Sequence, residues 1–172
     1  MALLAVTVIG RDRPGIIAQA TGALADLGGN LEDSTMTILR GHFTMVLLVT
    51  TDADRAAAEQ ALAHLAADGT LQVAVREVPT EAEPEPTGVP YLLSLHGADR
   101  PGIVSAVTAL IAAVGGNITD FSTRLTGSLY VLIAEVDLPV SADVAAVTAD
   151  LERVAGALGV DASLRPLEPD VL

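Results

Sequence analysis

One stretch of this sequence occurs twice, as a loop, an apolar helical pattern and a second loop. The first copy runs from Gly10-Arg11-Asp12-Arg13-Pro14-Gly15-Ile16 to Gly28-Gly29-Asn30-Leu31. The second runs from Gly97-Ala98-Asp99-Arg100-Pro101-Gly102-Ile103 to Gly115-Gly116-Asn117-Ile118, 87 residues further along the chain. Half of the 22 aligned positions are identical. The repeat predicts two small domains of one fold, because halves of roughly 80 residues are still long enough to fold alone.

Both halves show the same order of strand-like and helix-like stretches. In the first half the pattern predicts strands at 3–9, 30–39, 43–50 and 71–78, with helices from Pro14 and at 53–67. In the second it predicts strands at 91–96, 117–125, 129–136 and 160–164, with helices at 101–114 and from Ser141 to about 158. The order β-α-β-β-α-β is that of a ferredoxin-like α+β domain, with an antiparallel sheet and helices on one face.

These patterns give four segments. Domain 1 is predicted at 1–79, an acidic proline-rich linker at 80–90, domain 2 at 91–168 and a frayed tail at 169–172. A four-stranded sheet leaves two edges exposed, and pairing edges between copies would cover some of them. We therefore expect edge-to-edge pairing of the domains, within one chain or between chains, and a homodimer.

Several local details also follow from the residue types. Pro14 and Pro101 are expected in the first turn of their helices, where a missing N–H costs nothing. Thr51 or Asp52 is expected to cap the second helix and Ser141 the fourth. Strand two is expected beside strand one. The second hairpin is expected to be one residue shorter than the first, on the assumption that Gly127 matches Gly41.

Composition excludes several functions. The net charge is −13, which repels phosphate backbones, so direct binding of nucleic acid is not expected. The chain has no cysteine, which removes disulfides, thiol catalysis and thiolate metal sites. No apolar run approaches the roughly 20 residues of a membrane span, so we expect a cytoplasmic protein without membrane contact. No metal spacing, cofactor motif or catalytic constellation is found, so no cofactor is expected.

The repeated loop has the chemistry of a binding site for a zwitterion. Unpaired N–H groups near Gly15, Ile16 and Ile17, together with the helix dipole, favour an anion. Arg13 could add a charged donor, while Asp12 or the amide of Asn30 could receive an ammonium group. Asp99, Arg100, Gly102, Ile103 and Asn117 repeat this set. A purely structural interpretation remains open, since Asp-Arg-Pro-Gly also starts helices well and Gly-Gly-Asn also ends them.

The repeated motif resembles that of the ACT domain family, small βαββαβ ligand-binding modules of amino-acid enzymes and regulators. Its tandem layout resembles, within that family, the glycine cleavage system transcriptional repressor group. The resemblance implies a non-catalytic regulatory protein that binds a small amino acid, with glycine or serine as first guesses, and signals through a protein partner. It also implies that each loop faces strand two of a neighbouring domain. The implied ligand-binding residues are Asp12, Arg13, Pro14, Gly15 and Ile16 with Asn117 and Ile118, and Asp99, Arg100, Pro101, Gly102 and Ile103 with Asn30 and Leu31.

Two alternative functions remain. Ferredoxin-like domains include small acylphosphatase-like hydrolases, whose anion-binding loop also precedes a helix. The chain could also be an interaction module that needs no ligand. Turnover of an acyl phosphate would support the first alternative, and partner binding without ligand dependence would support the second.

Overall fold

A computed structural model describes residues 1–79 and 88–167. The chain divides into two compact units, each with four strands and two helices in the order β-α-β-β-α-β. The first unit contains β1 Ala2–Arg11, α1 Ile16–Asp26, β2 Asn30–Leu39, β3 His42–Thr51, α2 Arg55–Leu62 with a 3-10 turn Ala63–Ala66, and β4 Leu71–Val78. The second contains β5 Gly88–Ala98, α3 Ile103–Ala113, β6 Asn117–Thr126, β7 Leu129–Pro139, α4 Val144–Ala157 and β8 Val160–Pro166.

Each unit has one antiparallel sheet, with strand order β2-β3-β1-β4 in the first and β6-β7-β5-β8 in the second. The predicted α+β ferredoxin-like fold is therefore confirmed. The expectation that strand two lies beside strand one is wrong, because β3 lies between them. A hairpin turn joins β2 to β3, and β3 is the strand that pairs with β1 along its whole length.

One face of each sheet carries the core. On β3 every second side chain is buried, from Phe43 to Val49, against Ile16, Ala20 and Leu24 of α1. This alternation is what a strand with one covered face requires. The second unit repeats it, with Leu132 to Leu138 of β7 and one face of α3 in the core. Burial on one side fixes the strand register, and the register in turn fixes which side chains reach the sheet ends.

The edge strands β2 and β6 contain the same irregularity. The pairing of β2 with β3 shifts between Leu31 and Asp33, and that of β6 with β7 shifts between Ile118 and Asp120. Each shift is a β-bulge with one extra residue on the edge strand. On both sides of the first bulge the pairing brings side chains to the covered face, since Leu31 lies opposite Val49 and Met36 opposite Met45.

The two hairpins have turns of equal length, so the expectation of a shorter second turn is wrong. Two residues join β2 to β3 and two join β6 to β7. In the first turn both Arg40 and Gly41 have positive φ, at 50° and 84°, as a type I′ turn requires. In the second only Gly127 does, at 62°, which fits a type II′ turn with glycine first. The glycine has moved within the turn, and the 87-residue offset between the repeats is kept.

The predicted helix caps also need correction. Asp54 caps α2 by accepting a hydrogen bond from the Ala57 N–H at 2.8 Å, and Asp143 caps α4 by accepting one from Ala146 at 3.1 Å. Thr51 is buried instead, where its hydroxyl donates to the Leu27 carbonyl at 3.0 Å. Both helices therefore begin later than expected, because the aspartates nearest the first turn capture its free N–H groups.

The proposed segment boundaries remain a prediction. The second domain's first strand begins at Gly88, three residues before the expected Tyr91. Most of the linker lies outside the described residues, as does the tail. Pairing of sheet edges between domains likewise remains a prediction. No helix in the described part of the chain is long and apolar enough to cross a membrane.

Candidate functional site

The first loop is anchored to two neighbouring segments of its own unit. The N–H of Arg11 donates to the Thr70 carbonyl at 3.0 Å, just before β4. The N–H of Asp12 donates to the Gly41 carbonyl at 3.2 Å, in the turn between β2 and β3. These bonds fix the start of the loop at the end of the sheet where β1 and β2 end and β4 begins. The residues that follow are therefore held in a defined position above that end.

Each loop ends on a glycine in the left-handed conformation. Gly15 has φ 89° and Gly102 has φ 93°, and the helices begin at the next residue, Ile16 and Ile103. The expectation that Pro14 and Pro101 lie in the first helical turn is therefore wrong. A helix cannot continue through a positive φ, so both prolines belong to the turn before it.

The helices that follow the two loops lack a side-chain cap, whereas the other two have one. Among residues 1–79 and 88–167, no side chain accepts a hydrogen bond from the first turn of α1 or α3. In α2 and α4 an aspartate does so. The first backbone bonds of α1 and α3 are donated by Gln19 and Ala106, to Gly15 and Gly102. The N–H groups at the start of both repeated helices are thus available to an anion, in the position that a helix dipole favours.

A cavity of about 330 Å³ adjoins the first of these helix starts. We call it the first loop pocket. It combines the loop and first turn of α1 with two side chains from the sheet, Met36 of β2 and Phe43 of β3. Its lining residues are Asp12, Arg13, Gly15, Ile16, Ile17, Ala18, Met36 and Phe43. Its volume is at the lower end of the roughly 300–1,000 Å³ of small-molecule sites. One end of the pocket is polar and the walls are apolar.

Arg13 lies between this pocket and a second cavity of about 300 Å³, which Arg11, Asp12, Asp68 and Thr70 also line. The guanidinium Nη1 donates to Gln19 Oε1 at 3.3 Å. Its Nε is buried and has no hydrogen-bond partner among the described residues. A buried N–H without an acceptor is costly, so an added acceptor at this position would be stabilising.

Arg100, the counterpart of Arg13, is placed differently. Its guanidinium lies over Gly159, close enough that a Cβ on that glycine would be 3.4 Å from Nη2. Position 106, which matches Gln19, is an alanine and offers no side-chain acceptor. The two loops therefore share a backbone conformation but hold their arginines against different neighbours.

The second cavity is lined by a carboxyl group, that of Asp68, whose pKa is lowered. Hydrogen bonds from the Thr70 hydroxyl, at 2.6 Å, and from the Thr70 N–H, at 2.9 Å, hold the pKa of Asp68 below its usual value of 3.8. The nearby charge of Arg13 lowers the pKa of Asp68 further. Asp68 is therefore an ionised acceptor for Thr70 at neutral pH.

The structure separates the two halves of the predicted site within each unit. Asn30 begins β2, whereas the loop lies at the other end of the sheet, since Leu39 pairs with His42 and His42 with Arg11. Ten strand residues at about 3.3 Å each place some 30 Å between the two ends. Asn30 therefore cannot meet the loop of its own unit. The same register separates Asn117 from the second loop.

Asn117 and Ile118 line a cavity of their own. It measures about 500 Å³ and lies between α3 and the start of β6, with Ser105, Thr108, Ala109, Ile111, Ala112 and Gly116 as its other lining residues. At the matching place in the first unit, Leu31 lines a cavity of only about 30 Å³. Asn117 and Ile118 were predicted as site residues and the N–H of Ile17 as part of the anion site, whereas Ala18, Met36 and Phe43 were not predicted. The hairpin register, once aligned, would have pointed to Met36 and Phe43.

Two βαββαβ units, each with a glycine-preceded helix start that has no side-chain cap among the described residues, define a tandem ferredoxin-like protein with a repeated loop. Residues 2–76 and 90–165 each match the ACT domain. The chain belongs to the ACT domain family, and the predicted tandem arrangement is confirmed.

Three similar proteins extend this comparison. The chain is 31% identical to an unknown protein from Galdieria sulphuraria, whose crystal structure superimposes with a TM-score of 0.78 over 97% of this chain and 99% of that one. It is 28% identical over 122 residues to the glycine cleavage system transcriptional repressor of Escherichia coli, covering 70% of this chain and 64% of the relative. A UPF0237 protein of Methanopyrus kandleri is 54% identical over 44 residues, or 26% of this chain. The chain spans about half the length of the curated UPF0237 relatives that it matches.

Proposed function

We propose that this protein is a non-catalytic regulator that binds a small amino acid at its two repeated loops. One observation carries the proposal. In each unit the helix after the repeated loop begins without a side-chain cap, while the other helix is capped by aspartate. An amino-acid carboxylate at the free N–H groups would satisfy them, as the aspartates do in α2 and α4.

The remaining parts of the ligand suit the residues around the loop. Asp12 and Asp99 supply a negative charge for the ammonium group. Asn30 and Asn117 lie at the far end of their own sheets, so they would act on a loop of another ACT domain. Under this proposal each site consists of Asp12 to Ile16, or Asp99 to Ile103, completed by the Asn-Leu or Asn-Ile pair of a second domain. Ligand binding would then depend on how domains are paired.

The proposed pathway rests on the relative from Escherichia coli, whose name assigns it a role in transcriptional repression of glycine cleavage. We propose a related role for this chain, in which ligand binding is passed to a protein partner and the working form is a homodimer. The net charge of −13 supports contact with a protein more than direct contact with DNA. Glycine and serine are the first ligands to test.

Calorimetry on the full chain tests the proposal. We expect glycine, serine or another amino acid to bind the wild-type protein. A double variant, Ala18→Glu with Ser105→Glu, places a carboxylate at the third helical position of α1 and α3. That carboxylate can reach back to the free N–H of the residue before each helix and occupy the anion position. It should leave both helices as stable or slightly more stable, while lowering amino-acid affinity at least about tenfold.

The neutral double variant Ala18→Gln with Ser105→Gln is the control, because it keeps the shape and removes the charge. It should bind clearly better than the glutamate variant. A folded wild-type protein that binds no amino acid would refute the ligand proposal. Equal amino-acid affinity of the glutamate and glutamine variants would show that the helix starts are not part of the binding site.

A further inference from the structure

The first loop pocket combines the charged side chains of Asp12 and Arg13, in the loop before the helix, with apolar side chains of α1, β2 and β3. Ile17 and Met36 are exposed large side chains, at 45% and 42%, and both line the pocket above the buried ring of Phe43. An exposed apolar pair beside uncapped N–H groups suits a ligand that carries an anion at one end and hydrocarbon at the other. Glycine could use the polar end only.

The matching positions of the second unit carry different chemistry. The β6–β7 register aligns with that of β2–β3, so Thr123 lies opposite Leu132 where Met36 lies opposite Met45. Tyr130 lies opposite Gly97 where Phe43 lies opposite Gly10. The two remaining pairs are Ile17 with Val104 and Ala18 with Ser105. In each of the four pairs, the residue of the second unit has a smaller side chain or carries an additional hydroxyl group.

We propose that the two sites have different specificities. The first loop pocket selects an α-amino acid with an apolar side chain of about leucine or methionine size, and Met36 is its main specificity-determining residue. The matching positions around the second loop favour a smaller or hydroxyl-bearing amino acid. This inference rests on the proposed function, because it assumes that the loops bind amino acids at all.

The charges around the pocket support a zwitterion over a purely apolar occupant. The free N–H groups of α1 and the Arg13 guanidinium provide positive potential at one end, and Asp12 provides a carboxylate beside it. The buried Nε of Arg13 has no acceptor among the described residues. A ligand carboxylate bound by the free N–H groups and by the Arg13 side chain that lines the pocket would place the ligand's own side chain against Ile17 and Met36.

Substitution at position 36 isolates the specificity. We expect wild-type protein to bind leucine or methionine more tightly than glycine. Met36→Thr copies the second unit and should lower leucine affinity about tenfold, because a hydrophobic pocket discriminates by roughly tenfold or more per missing methylene group. Glycine affinity should change less than about twofold. Ile38→Thr is the matched control, because Ile38 lies on the same face of the same strand with the same 42% exposure but does not line the pocket. It should leave both affinities unchanged.

The chain has no tryptophan and two tyrosines, of which Tyr130 lies opposite Gly97 at the end of the sheet that carries the second loop, whereas Tyr91 lies at the end that carries Asn117. A Tyr91→Phe background therefore leaves one tyrosine, whose fluorescence reports the second site. In that background serine should change the tyrosine signal with or without Met36→Thr, and leucine should bind by calorimetry with little change in the signal. Equal leucine and glycine affinities in wild type, or equal effects of Met36→Thr and Ile38→Thr, would overturn the proposal. If Met36→Thr instead changed the sedimentation coefficient and left ligand affinity intact, the apolar walls would be a protein contact, which also overturns it. If the folded wild-type protein bound no amino acid at all, the proposed function as an amino-acid-binding regulator would itself be refuted.

Discussion

Gly102 offers a direct test of why the repeated loops require glycine. It has φ 93° and ψ −8°, and a Cβ added there would meet no atom of the described residues within 4 Å, apart from its neighbours along the chain. Substitution to alanine should therefore cost backbone strain alone. A non-glycine residue in the left-handed region costs about 1–2 kcal/mol. Loss of glycine's freedom in the unfolded chain returns about 0.4–1 kcal/mol. The net loss in the free energy of unfolding should be about 1 kcal/mol.

For a domain of this size, 1 kcal/mol lowers Tm by about 4–8 °C. Tyrosine fluorescence of the full chain measures the effect, since Tyr91 and Tyr130 both lie in the second half. Gly102→Asn should lose less, because asparagine tolerates the left-handed conformation, and Gly102→Val should lose more, because a β-branched side chain does not. The expected order of Tm is glycine, asparagine, alanine, valine. An alanine variant as stable as wild type, or three variants with equal Tm, would refute the strain argument.

Two further predictions test the caps and the charged groups. Asp143→Ala should destabilise the second unit by about 1 kcal/mol, because the Ala146 N–H loses its acceptor, whereas Asp143→Asn should retain most of the stability; thermal unfolding followed by tyrosine fluorescence measures both. Thr70→Val should raise the pKa of Asp68 towards 3.8, because the hydroxyl that donates at 2.6 Å is lost, and Thr70→Ser should not. Because the folded-state pKa of Asp68 is lowered, its contribution to stability is present above pH 3.8 and is lost as the pH falls through the lower folded value. Carboxyl chemical shifts measured by NMR across pH 2–6 would check this, and an unchanged pKa in Thr70→Val would contradict it.

The fold could be predicted from the sequence because the hydrophobic periodicity and the positions of the turn residues indicate the same element boundaries. The bounds of β2 and β4 were predicted to the residue, since Gly28-Gly29 precedes one and Asp68-Gly69 nearly adjoins the other. The prediction was wrong at the two repeated helix starts, where a left-handed glycine follows the proline. Pro14 looks like a first-turn proline until the left-handed φ of Gly15 is known, and φ is not visible in the residue type.

The site could be predicted only in part, because its walls depend on register. Asp12 to Ile16 form one contiguous motif and were found directly. Met36 and Phe43 are distant in sequence and join the pocket through the β2–β3 pairing. The predicted caps, Thr51 or Asp52 for α2 and Ser141 for α4, lie two or three residues too early, because several residues that can cap precede each helix and sequence alone does not rank them. The equal turn lengths are visible only in the strand pairing, because glycine is the second residue of one turn and the first residue of the other.

The bulge in β2 determines which residues this strand can present together. Leu31 and Met36 are an odd number of positions apart, so a regular strand would turn them to opposite sides of the sheet. The extra residue, Glu32, changes the count and brings both to one side. Thr119 holds the matching place in β6. One bulge residue is a charged glutamate and the other is a neutral threonine. Both strands therefore require an extra residue at this position but not a particular residue type. Many substitutions should be tolerated at position 32, whereas deletion of Glu32 would turn the side chains at one end of β2 to the opposite face of the sheet.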